Sequence, residues 1–63
     1  MKDNNLKEVK VNDFVKHRFR DYPKGKIVRI EDGCNAVCWV DFGVLVSGKQ
    51  HLTICCQYDI CLL

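Results

Sequence analysis

The sequence has a single proline, four glycines and two histidines among its 63 residues. No apolar run approaches the ~18 residues that a membrane-crossing helix needs. The opening stretch, MKDNNLKEVK, lacks the apolar segment of a secretory signal. These absences argue against a membrane helix and set the expectation of a cytoplasmic protein whose thiols stay reduced. There is no internal repeat or low-complexity tract, and apolar periodicity of helix length is missing. No Ser/His/Asp, Cys/His or paired-carboxylate arrangement can be argued from spacing, so no catalytic residue is assigned. At 7.3 kDa the folded surface should be about 4,200 Å², which leaves no room for a second domain or a deep enclosed substrate pocket.

Five cysteines are present, Cys34, Cys38, Cys55, Cys56 and Cys61. The odd number and the missing secretory context speak against a disulfide framework. Zinc sites favour C-x₂₋₄-C pairs, and Cys34 and Cys38, with three residues between them, meet that spacing loosely. On a strand they would lie about 13 Å apart, too far to share an ion unless the turn folds back. Cys55 and Cys56 are adjacent and should point to opposite faces. The cysteines are therefore read as small core residues, Cys38 and Cys56 above all, with no metal and no cofactor expected.

What is present is hydrophobic residue (48%) and charge (29%) in the proportions of a globular chain. The charge is unevenly placed. Residues 1–15 are neutral, and residues 30–63 set Lys49 against Glu31, Asp32, Asp41 and Asp59. Between them Lys16, Arg18, Arg20, Lys24, Lys26 and Arg29 face Asp21 alone. This basic third, with Phe19 and Tyr22 interleaved, has the composition of a surface for phosphates and a stacking ring. A solvated loop and an acidic protein partner remain the competing readings. No RNP-like or helix-turn-helix signature accompanies it, so any nucleic-acid binding should be weakly sequence-specific.

From Val11 onward, β-branched and aromatic residues alternate in short runs. Strands are expected over 13–19, 26–31, 36–42 with an extension over 44–46, 50–56 and 60–63, after a flexible arm over residues 1–10. Pro23 and Gly25 mark a turn, 32–35 a hairpin connection, and Gly43 a bulge. Gln57-Tyr58-Asp59 reads as one tight turn. Asp41 belongs in water, which assigns Ala36, Cys38, Val40 and Phe42 inward and Trp39 outward. The expected core is completed by Val15, Val28, Ile30, Leu52, Ile54, Cys56 and Leu62. Five short strands with tight turns predict an all-β, strongly bent antiparallel barrel.

Three runs carry a resemblance: Val11-Asn12-Asp13-Phe14-Val15-Lys16-His17, Gly25-Lys26-Ile27-Val28-Arg29-Ile30, and Asn35 through Gly43 ending in Val40-Asp41-Phe42. Together they resemble an SH3-like (Tudor/KOW-type) barrel, in particular the small C-terminal Tudor-like domain of bacterial superfamily-1 DNA repair helicases. Asn12 stands where that group has a glycine, and the Arg18–Lys24 loop is longer and more basic. The resemblance implies a barrel over 11–63 that binds nucleic acid or a transcription or repair protein such as RNA polymerase. It supplies no catalytic residue.

The expected function is therefore a non-enzymatic binding module. Lys16, Arg18, Arg20, Lys24, Lys26 and Arg29 would face nucleic acid or an acidic partner, and Phe19, Tyr22, Val37 and Trp39 would form a protein interface. The alternative is a small self-associating assembly or accessory protein of a mobile element, a homo-oligomer joined through Val37, Trp39, Val44 and Leu45. An aromatic cage drawn from Phe19, Tyr22, Trp39 or Tyr58 ranks low. So does an enzymatic reading by analogy with type II dihydrofolate reductases, because Cys56-Gln57-Tyr58-Asp59 lacks their Val-Gln-Ile-Tyr motif.

Overall fold

The computed structural model describes residues 1–33, 36–44 and 47–63. Cys34 and Asn35 of the expected hairpin connection, and Leu45 and Val46 of the expected strand extension, lie outside the described residues. The chain is all-β. Five strands, β1 (Phe14–His17), β2 (Gly25–Glu31), β3 (Val37–Val44), β4 (Gln50–Cys56) and β5 (Ile60–Leu62), follow in order, with one 3-10 turn at Gln57–Asp59 before β5. They form one antiparallel sheet in the order β4-β3-β2-β1-β5. Among the described residues no helix is long and apolar enough to cross a membrane. The exposed surface of 4400 Å² is close to the value the chain length predicts.

The sheet curls hard. In a flat sheet β1 and β4, three strand spacings apart, would be separated by about 14 Å. Instead donor atoms of His17 on β1 and Cys55 on β4 lie within 4.8 Å of each other. Among the described residues no ladder joins β4 to β5, so the curled sheet remains open along that seam. Val15, Ile27, Cys38, Val40, Phe42, Cys55 and Ile60 fill its concave side, joined by Val9 from the N-terminal segment.

Two bulges set which residues face that core. In β2, Ile27 pairs with Val40 and Arg29 with Trp39, so Val28 is an extra residue. Ile27 is fully buried and Val28 is 42% exposed, which corrects the inward assignment of Val28, while Ile30 returns to pack on the core. In β3, Gly43 takes φ 103° at the second register shift, between Asp41 and Val44. The Asp41 carboxylate accepts from Gly43 N and from Gln50 Nε2 and braces that bulge.

The phase of β4 is also corrected. Cys38 and Trp39 pair with Cys55 and Ile54, so Cys55 faces inward with Cys38. Leu52 and Ile54 stand 46% and 51% exposed beside the outward Trp39, and Cys56 is half-buried. Paired residues in a ladder share a face, so the register with β3, and not the apolarity of β4 itself, decides its orientation.

The flexible arm expected over residues 1–10 is corrected as well, because the segment is docked. Lys2 bridges to Glu8, Val9 is 1% exposed in the core, and Asp3 is fully buried. Asp3 Oδ1 accepts from Asn5 N and Lys7 N, and Oδ2 accepts from Leu62 N at 2.6 Å. Asn4 N donates to Ile60 O, and Gln57 Nε2 donates to Asp3 O. Burial pushes the Asp3 carboxyl up, but the three backbone donors outweigh it and hold it below its usual value. Opening turns are made at positive φ by Leu6 (62°) and Asn12 (79°), the latter a residue type that tolerates this region.

Gly25 opens β2 for a reason of space. A Cβ there would run into Val40 Cγ1 and the Phe42 ring, both in the core. We predict that Gly25→Ala lowers unfolding free energy by about 1–3 kcal/mol, the usual cost of overpacking. Chemical denaturation measures this, and a neutral result would contradict the packing described.

A folded-state carboxyl held below its unfolded value contributes stability that is present above about pH 3.8 and is lost as pH falls through the lowered value. Asp3→Ala, which strands three donors, should cost about 2–3 kcal/mol at neutral pH. Asp3→Asn should cost less and should flatten the acid limb of stability as pH falls below about 3.8. Denaturant midpoints measured from neutral pH down through the acid limb test both.

Candidate functional site

The alternation of β1 puts Val15 and His17 into the core and leaves Phe14 and Lys16 on the outer surface. Phe14 is 46% exposed and lies directly opposite Lys26 across the β1–β2 ladder. Lys24 Nζ lies 5.0 Å from the Phe14 ring centroid. Three exposed lysines, Lys16, Lys24 and Lys26, thus surround an exposed ring. Phe14 was absent from the expected site residues, although its place beside Lys16 on the outer face of β1 was the signal that could have found it.

The remaining basic residues divide. Arg18 Nη1 donates to Tyr58 O at 2.7 Å, and its guanidinium carbon lies 4.7 Å from the centroid of the exposed Phe19 ring. Arg20 is exposed in the loop that follows β1. Arg29 sits apart from the lysines, opposite Trp39, and pairs with Glu31 at 2.8 Å. That exposed pair adds little stability, but it places an anion beside Arg29.

Tyr22 does not join an outer surface. It is half-buried and packs edge-on against His51, centroids 4.4 Å apart, and against His17 and Phe42. Of the four aromatics considered for a cage, the structure brings only Phe19 and Tyr22 near one another, through His17.

A second surface surrounds Trp39. With Val28, Arg29 and Leu52 it lines a shallow depression of about 270 Å³, next to the exposed Ile54. The indole N–H of Trp39 is buried and has no hydrogen-bond partner among the described residues. Val37 is half-buried and lines a separate hollow with Met1 and Tyr58, so the expected Val37–Trp39 patch is two places. The Val44 side chain and Leu45 lie outside the described residues.

A third grouping was invisible in the spacing. His17 from β1, Cys55 from β4 and Asp59 from the 3-10 turn offer donor atoms all within 4.8 Å of one another. His17 Nδ1 accepts from Phe19 N, and one Asp59 oxygen accepts from Cys56 N. The residue types suggest a nucleophilic thiol with a base and an orienting carboxylate, but the physics opposes that role. Cys55 is fully buried, and burial pushes its thiol up to about 12; burial likewise pushes Cys38 up to about 11. A catalytic thiolate needs the opposite environment. These residue types can also ligate a transition metal.

No protein-family model, curated protein or solved structure matches the chain.

The burial pattern predicts that a thiol reagent labels the half-buried Cys56 and Cys61 in the native protein and reaches Cys38 and Cys55 only after unfolding. Peptide mapping of the labelled protein would show this. Native labelling of Cys55 at the rate of Cys61 would reopen the nucleophilic reading.

Proposed function

We propose that the chain is a non-enzymatic nucleic-acid-binding module, an SH3-like barrel of the Tudor type that grips single strands without reading sequence. The observation that carries this is Phe14, an exposed ring on a strand, flanked by Lys16, Lys24 and Lys26. Every base has a π-face, so one exposed ring can stack on any of the four while the ammonium groups meet the phosphates on either side. Arg18 and Phe19 extend the same chemistry towards the loop. Arg29, paired with Glu31, takes no part.

A mixed-sequence single-stranded oligonucleotide titrated at several salt concentrations tests the reading. Phe14→Ala should weaken binding by about 5- to 150-fold, the worth of one stacked base. Lys16→Gln and Lys26→Gln should each reduce the slope of log affinity against log salt by about 0.7. A flat titration at low salt would remove nucleic acid as the partner.

Self-association is the second reading, favoured by the Trp39 depression and the exposed Val28, Leu52 and Ile54 around it. It prevails if sedimentation shows an oligomer that ignores polyanions and that Leu52→Lys disperses.

A further inference from the structure

The buried group at the seam of the sheet is made of metal-ligand chemistry on four separate elements. His17, Cys55 and Asp59 converge within 4.8 Å, yet among the described residues no hydrogen bond or ion pair joins any two of them. Their near polar contacts are all to backbone. Phe19 N donates to His17 Nδ1 at 3.1 Å, Cys56 N donates to Asp59 Oδ2 at 3.0 Å, and the Cys55 thiol reaches Thr53 O at 4.0 Å. Three polar side chains turned towards one another without bonding are arranged around a common point.

A fourth donor stands next to them. Cys38 is the direct partner of Cys55 in the β3–β4 ladder, and both are fully buried on the same face. Side chains so paired have Cβ atoms about 4.5–5.5 Å apart. One thiolate can therefore share an ion with the other after a rotation about χ1.

We propose that His17, Cys38, Cys55 and Asp59 form a tetrahedral site for a divalent transition metal of the zinc class. Imidazole nitrogen, two thiolates and a carboxylate are a donor set such ions accept, with bonds of about 2.0–2.3 Å. Capture contracts the group, and the two thiol protons leave to solvent as the metal–sulfur bonds form. The site is structural, because four protein donors fill a tetrahedral shell and leave no open coordination position. It ties β1, β3, β4 and the 3-10 turn together across the seam that no ladder closes.

One hydrogen bond has to give way. With Phe19 N–H donating to His17 Nδ1, the imidazole proton sits on Nε2. Ligation through Nε2 moves that proton to Nδ1 and breaks the Phe19 contact, whereas ligation through Nδ1 replaces the contact with the metal. Either way the Phe19 amide reports the event.

The test uses the full chain, reduced and stripped of metal, titrated with Co²⁺ alone and then Zn²⁺ alone. One equivalent of Co²⁺ should give tetrahedral visible bands with thiolate-to-cobalt charge transfer, discharged by one equivalent of Zn²⁺. Zn²⁺ should raise the melting temperature, and the Phe19 amide resonance should shift. Asp59→Asn, at a half-buried position where folding is expected to survive, should weaken Zn²⁺ binding at least about 10-fold, the loss that even outer-shell changes cause. Cys61→Ser should leave binding unchanged. The proposal is overturned if the folded wild type shows no charge-transfer band and no thermal shift. It is equally overturned if binding persists at full strength in Cys55→Ser, which would place the metal on other cysteines.

Discussion

One carboxylate holds the two ends of this chain together. Asp3 is fully buried and accepts from two amides of its own segment and from Leu62 on β5. A buried charge is tolerable only when hydrogen bonds replace the water it has lost, and here three backbone donors do so. Val9 can enter the core because this clasp fixes the segment that carries it. β5, three residues long and, among the described residues, paired only to β1, gains from the same clasp a second attachment.

The strand plan was legible because its punctuation is local. Alternation over residues 36–42, the Gly43 bulge and the tight turn at 57–59 all lie where their residue types ask for them. Facing was less legible. Ile27 and Val28 are both β-branched, and so neither announces the bulge that buries one and exposes the other. Leu52 and Ile54 are more apolar than His51, Thr53 and Cys55, yet the pairing of Cys38 with Cys55 turns the apolar pair outward. Gly25 read as a turn residue, whereas its side chain is excluded by Val40 and Phe42, two strand residues it meets only in three dimensions.

The candidate sites divide along the same line. The basic stretch was visible as composition, but the fold sorts it. It gathers three lysines around Phe14, sets Arg18 on Phe19 and gives Arg29 a carboxylate. Tyr22 leaves the outer surface for a cluster with His17, Phe42 and His51, two of them contributed by distant strands. Positions 17, 55 and 59 share no motif spacing. Only the curl of the sheet brings β1 over β4, and so their convergence could not be read along the chain.

The Asp3–Leu62 contact also bears on how the chain reaches this state. It joins residues 59 apart in sequence, while the β2–β3–β4 ladders join consecutive strands. Closing a long loop costs more entropy than closing a short one, and that cost falls before the contact returns anything. The three central strands can assemble as a meander on nearby information, and gathering the termini is the late step. That step depends on a group a single proton can neutralise. Protonating Asp3 therefore unfastens the joined ends, whereas the β2–β3–β4 ladders make no use of that carboxylate.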